Sequence, residues 1–214
     1  MTEPVKRDAA NGTGRGQART RFARRAVVDA ARTLFLERGY VSTTIEAISE
    51  HSDVPTATVY RLFSSKLGIL KALLDTSIAG DDQPVAVQDR PDVASLFAER
   101  DPRKILAGFA GVTTAINERT GDVYLVLSSA AGSDPAAAQL LDEIRGQRDK
   151  GQGAIARSLA RAHALRRGLR ERDAADVIHA LMSPELYSLL VRDRGWTPQR
   201  YEKWLAATLT QQLT

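Results

Sequence analysis

The sequence predicts an all-α chain. Three observations carry that prediction. Apolar residues recur every three or four positions along most of its 214 residues. Candidate helix caps and stop signals punctuate those stretches at helix-length intervals. No segment alternates convincingly with a period of two, and no internal repeat is evident. Composition agrees: the chain is 43% hydrophobic and 26% charged, the balance of an ordinary globular protein. There is no Cys, which excludes disulfides, thiol catalysis and Cys-ligated zinc and fits a reducing, cytoplasmic setting. No stretch approaches the roughly 18 consecutive apolar residues of a membrane span. The N-terminus lacks the apolar run of a signal peptide, so no membrane partner is expected.

The elements follow in order. Residues 1–16, MTEPVKRDAANGTGRG, are polar and Gly-rich and are expected to form a disordered basic arm. Its GTGRG follows no strand and so does not read as a nucleotide loop. From Gln17 a helix carries Phe22, Ala23, Ala26, Val27, Ala30, Ala31, Leu34 and Phe35 on one face, and Gly39 stops it. Thr43 or Thr44 offers an N-cap for a short helix through Ile45, Ile48 and His51. Ser52-Asp53-Val54 makes a turn, and Pro55 opens a second short helix to about Leu62. Ser64 or Ser65 caps the next, striped by Leu67, Leu70, Leu73, Leu74 and Ile78. GDDQPVAVQDRP at 80–91 reads as a linker. A weak helix spans 93–99. Helices at 102–119 and 121–131 follow, the second β-like by propensity but set in a helical neighbourhood. A long helix then runs from Asp134-Pro135 to about Ala164. The last two span 172–191, bent at Pro184, and 198–213, capped by Thr197. The domain boundaries expected are 17–66, a connecting helix 67–80, and a helical domain 81–214.

Two short helices joined by a tight turn, behind one long helix, make a helix-turn-helix whose second helix enters the major groove. On that helix Val54, Val59, Leu62 and Phe63 face inward. Thr56, Ala57, Thr58, Tyr60 and Arg61 face away, and their small leading side chains let the backbone approach DNA. Thr56 and Thr58 suit base edges or thymine methyls, Tyr60 and Arg61 phosphates. Lys66 and the free N–H groups at its helix start offer a second phosphate clamp. Thr44 at the start of the preceding helix joins this candidate set. Residues 1–28 hold seven Lys/Arg against two acids, while the rest holds 23 against 24. The positive excess is therefore N-terminal, and Arg19 and Arg21 are candidate DNA contacts. Such an arm binds nucleic acid, an anionic surface or nothing.

Residues 20–78 resemble the N-terminal domain of TetR-family transcriptional regulators. The run that carries the resemblance is GYVSTTIEAISEHSDVPTATVYRLFSSKLGILKALL, 39–74, with its Gly-Tyr, Thr-Thr, Tyr60-x-x-Phe63 and Ser65-Lys66. Three positions depart from the family pattern. Ser52-Asp53 replaces Ala-Gly in the turn, Pro55 replaces the capping Ser, and Leu67-Gly68 follows Lys66 in place of Glu. The last predicts a less well capped helix start. Asp tolerates the left-handed conformation, so the turn is expected to survive.

The resemblance implies a regulator, expected to be a repressor, that reads a near-palindromic double-stranded operator as a homodimer and is released by a small apolar or amphipathic effector. It also implies no cofactor. The last two helices would pair across the dimer, with Val177, Leu181, Leu189, Trp204, Leu205 and Leu209 as candidate interface residues. Phe109, Thr113, Tyr124, Ser128, His179, Met182 and Tyr187 are candidate pocket residues, with His163 and Glu185 as further polar candidates. The Arg-rich run 157–172 is a solvated face or an anion seat. Enzyme and adaptor readings remain as alternatives. The sequence holds no nucleophile elbow and no metal-type spacing around His51, His163 or His179.

Overall fold

The computed structural model describes residues 10–80 and 90–214, with side chains from residue 16. The described residues are helical with no strand. They divide into two compact units, Met1–Leu73 and Leu74–Thr214. The division falls inside one helix rather than in the expected 80–91 linker, of which 81–89 lies outside the described residues.

In the first unit, α1 spans Ala10–Ser42, α2 Ile45–Ser52 and α3 Thr56–Phe63. Helix α4, Lys66–Ala79, runs through the division. Helix α1 starts seven residues before Gln17, so residues 10–16 of the expected disordered arm are helical; residues 1–9 lie outside the described residues. Once 17–38 is helical, extension adds a hydrogen bond per residue without a new nucleus. Gly39 breaks the helix as expected, at φ 76° and ψ 169°, a conformation open to Gly. Val27, Ala31, Leu34, Phe35, Ile48 and Val59 form the buried centre, with Tyr40 tilted against Phe35. Phe22, expected on the apolar face, is instead exposed: burial along α1 begins at Val27.

In the second unit, α5 is Pro91–Ala98, α6 Pro102–Ala131, α7 Pro135–Arg161, α8 Glu171–Leu181, α9 Pro184–Tyr187 and α10 Pro198–Leu213. The helices expected at 102–119 and 121–131 are one. Thr120 and Gly121 lie buried within it, and the packing outweighs the roughly 1 kcal/mol that an interior Gly costs. Asp134 caps α7 by accepting from Ala136 and Ala137, and Thr197 caps α10 by accepting from Arg200. The expected bend at Pro184 is a full break. Ser183 restarts the chain as the cap of α9, which continues as a π-helical segment, Ser188–Asp193. Helix α10 lies against α6, and α7 against α8 and α6. Their shared core includes Leu106, Phe109, Leu159, Ile178, Tyr187, Tyr201, Leu205 and Leu209.

Candidate nucleic-acid interface

The helix-turn-helix is built from α2, the Asp53 turn and α3. Thr44, exposed, is the cap of α2: its Oγ1 accepts from Ala47 N at 3.1 Å. Thr43 is buried and shares its hydroxyl proton between Gly39 O at 2.8 Å and Leu34 O at 3.2 Å. Of the two threonines the sequence offered as caps, one therefore caps α2 and the other ties α2 to α1. Asp53 adopts φ 53° and ψ 32°, the left-handed geometry expected for it, and Val54 N closes the turn on Ser49 O at 3.2 Å.

The exposed face of α3 carries Ala57, Tyr60 and Arg61, with Thr58 half-buried. Tyr60 is 46% exposed, high for a large aromatic. Thr56 is spent differently from its expected role. Its hydroxyl donates to Ser49 Oγ at 3.0 Å, and Ser49 in turn donates to Val54 O at 2.7 Å. This relay buckles α3 to α2, and the missing side-chain cap at Pro55 leaves Thr56 free to serve it.

Lys66 also departs from its expected place. Its ammonium points inward, donating to Tyr40 O at 2.7 Å, Thr43 O at 2.8 Å and Val41 O at 3.4 Å, and lies 4.3 Å from the Tyr40 ring centre. A cation on the carbonyls that end α1 is favourable in charge and completes that terminus. Lys66 thus fixes the α1–α2 corner rather than presenting a free side chain to a phosphate. The start of α4 is better capped than expected: Ser65 Oγ accepts from Gly68 N at 3.0 Å. Gly68 is required by space. A Cβ there would stand 2.1 Å from Phe63 O.

Arg24 does not stand out in the sequence, where nothing separates it from Arg19, Arg21 and Arg25. It donates to Leu62 O at 2.9 Å and stacks over the Phe63 ring at 4.6 Å, pinning the end of α3 to α1. Arg19 and Arg21 are exposed on α1, as is Arg25, which pairs loosely with Asp29 at 3.9 Å.

The second unit rearranges the other candidate sets. Phe109, Thr113, Tyr124, Met182 and Tyr187 are all buried in the packed interior, while Ser128 and His179 are half-buried. Tyr124 donates to Glu185 Oε1 at 3.0 Å, and His179 Nδ1 lies 2.8 Å from Gln152 Oε1 and 2.9 Å from Asp149 Oδ1. Burial pushes the phenols of Tyr124, Tyr187 and Tyr201 up, so they stay neutral. His163 is exposed, at φ 52° just past α7, and lines no interior. An open cleft of about 220 Å³ lies elsewhere, between the end of α4, α5 and α6, and includes Ile78, Val93, Val112, Ile116 and Arg119. Arg119 donates to Ser77 O at 3.0 Å and Ile78 O at 3.4 Å, the last carbonyls of α4.

Of the candidate interface residues, Leu205 and Leu209 are fully buried within the subunit, because α10 turns that face onto α6. Val177, Leu181 and Trp204 are partly buried against the same core, and Leu189 is 49% exposed. Trp204 meets Trp196 edge-on at 5.8 Å. In the Arg-rich run, Arg157 pairs with Glu171 at 3.9 Å and Arg170 holds Asp173 through two hydrogen bonds of 2.8 and 2.9 Å, all solvent-facing. Among the described residues no group of His, Asp and Glu stands where it could hold a metal ion, and no helix is long and apolar enough to cross a membrane.

The family model described as bacterial regulatory proteins, tetR family, matches residues 27–73, the helix-turn-helix just described. The HTH-type transcriptional regulator YvkB of Bacillus subtilis is 42% identical over 48 residues, which are 22% of this chain and a quarter (25%) of that protein. A second HTH-type regulator of Bacillus subtilis, YdeS, is 28% identical over 179 residues, covering 83% of each chain. The solved structure of SmeT in complex with triclosan superposes with a TM-score of 0.69 at 17% identity, over 90% of this chain and 91% of that one. This likeness extends the shared fold beyond α4. With an α2–turn–α3 unit that carries the family's motif, the chain belongs to the TetR family of transcriptional regulators.

Proposed function

We propose that the chain is a homodimeric, cytoplasmic repressor that binds a near-palindromic operator through α3 and leaves it when a small apolar or amphipathic molecule binds residues 81–214. The carrying observation is the face of α3. Ala57, Tyr60 and Arg61 are exposed on a short helix braced at both ends, by Thr56–Ser49 at its start and Arg24 at its finish. A helix so held, with small residues leading, suits close approach to base edges. In this reading Ala57 and Thr58 meet bases, while Tyr60, Arg61 and Thr44 meet phosphates. Arg19 and Arg21 add sequence-independent attraction. Two copies would place their α3 helices about 34–36 Å apart, one DNA turn. Val177, Leu181, Leu189 and Trp204 remain the candidate contacts between copies.

Coupling would run through α4. Its first half belongs to the DNA-binding unit and its last turn to the second unit, where Arg119 grips its final carbonyls. A ligand favouring an arrangement in which that grip differs shifts the population away from the operator-binding state. The triclosan bound by SmeT is a precedent for a small ligand on this fold. The test is fluorescence anisotropy against DNA upstream of the gene and scrambled DNA at two salt concentrations. Tighter, salt-sensitive binding upstream, abolished in Tyr60→Ala/Arg61→Ala, supports the reading. Absence of binding to either at low salt refutes it.

A further inference from the structure

The second unit buries a donor with nothing to donate to. Asn117 is 4% exposed in the middle of α6, and its Nδ2 reaches no acceptor. A buried N–H without a partner is costly and uncommon. The surroundings are polar for a core. Thr113 and Tyr124 share its face of α6, and the Tyr201 hydroxyl, whose proton goes to Leu181 O at 3.2 Å, lies close enough to feel the Asn117 amide. Tyr201 stacks edge-on with Tyr187 at 4.9 Å, and the Tyr187 ring faces Gly121, one turn along α6 from Asn117.

The wall opposite is the least regular helix of the unit. It breaks at Met182–Ser183, restarts as α9 and winds as a π-helix from Ser188, itself buried, to Asp193. Arg192 of that segment is paired to Asp122 of α6. Single π turns are frequent at functional sites, and a change between π and α winding moves the side chains that follow.

We propose that this interior is a concealed ligand site whose polar anchor is Asn117, and that it takes an uncharged, mainly apolar molecule presenting one hydrogen-bond-accepting oxygen. The charge follows from the walls: among the described residues of this unit no buried side chain is ionisable except the neutral tyrosines. An anion or cation would therefore enter without compensation. The oxygen follows from the unpaired donor. Rewinding of Ser188–Asp193 makes the room. The inference rests on the ligand-responsive reading above and supplies its ligand chemistry.

The experiment uses the full-length protein with acetophenone and ethylbenzene, near-matched in shape and differing by one carbonyl oxygen. Thermal shift reads binding, and operator anisotropy reads release. Ethylbenzene is the more hydrophobic, so an apolar cavity alone favours it. The anchor predicts the reverse, with acetophenone tighter by about tenfold. Asn117→Leu should melt no lower than the wild type, still bind operator and lose the preference. Equal binding, preference for ethylbenzene, no shift with either, or an unchanged preference in Asn117→Leu overturns the site. The last three would also follow if Asn117 held an ordered water only. Acetophenone binding with operator affinity unchanged would keep the site and sink the ligand-responsive reading instead.

Discussion

Replacing Gly68 by Ala tests how the recognition helix is held, because two effects of opposite sign meet there. Gly68 lies in the first turn of α4 without a positive φ. Judged as helix alone, Ala should stabilise it by roughly 0.5–1 kcal/mol. Judged by space, the new Cβ stands 2.1 Å from Phe63 O and 3.2 Å from Phe63 C. Ordinary van der Waals separation begins near 3.4 Å, so the two must part by about 1 Å. The obstacle is backbone and cannot rotate aside. The Phe63 carbonyl accepts from Ser65 N at 2.7 Å, and Phe63 is buried under the Arg24 guanidinium. Overpacking of this kind costs roughly 1–3 kcal/mol, and breaking the Ser65 bond adds about 0.5–1.5 kcal/mol. The crowding wins, leaving Gly68→Ala destabilised by roughly 1–3 kcal/mol. That lowers the melting temperature by roughly 2–4 °C per kcal/mol for a chain of this size. The end of α3 must move with Phe63, so operator affinity falls by about tenfold or more, the worth of one good base pairing by a side chain. Thermal unfolding and operator anisotropy check both. A melting temperature above the wild type, with operator affinity unchanged, would refute the argument.

Other expected outcomes use the same instruments. Lys66→Gln weakens operator binding by disturbing the α1–α2 corner while leaving the slope of log affinity against log salt unchanged. Arg61→Gln lowers that slope by about 0.9 for each phosphate that Arg61 neutralises; a smaller slope for Lys66→Gln would restore it as a phosphate ligand. Asp53→Gly relieves a left-handed non-Gly residue and stabilises by about 0.5–1 kcal/mol in urea unfolding, with operator affinity unaltered. Leu209→Ala empties a fully buried position and costs roughly 2–5 kcal/mol. If sedimentation showed dissociation without a fall in stability, the residue would belong to an interface after all. Thr44→Ala removes the α2 cap and costs about 1 kcal/mol.

The amino-acid sequence by itself determined the helices, their caps and the helix-turn-helix. Each rests on neighbours within a few positions: Thr44 caps Ala47, Asp134 caps Ala136, Gly39 and Asp53 accept positive φ, and Val27, Leu34 and Phe35 recur at the helical period. Even the unusual Asp of the turn was legible, because the preference of Asp for that conformation is local. What only the tertiary structure decided is where the long side chains go. Lys66 spans 26 residues to reach Tyr40, Arg24 spans 38 to reach Leu62, and both are indistinguishable in sequence from cations left for solvent or DNA. The periodicity of α10 shows that Leu205 and Leu209 share a face but not whether that face meets α6 or a second subunit. Gly68 reads as a weak helix start until the Phe63 carbonyl is seen to occupy the space its side chain would need. Caps and periods are set by bonds along one segment, whereas a cation's partner and a face's neighbour are set by which segments packing brings together.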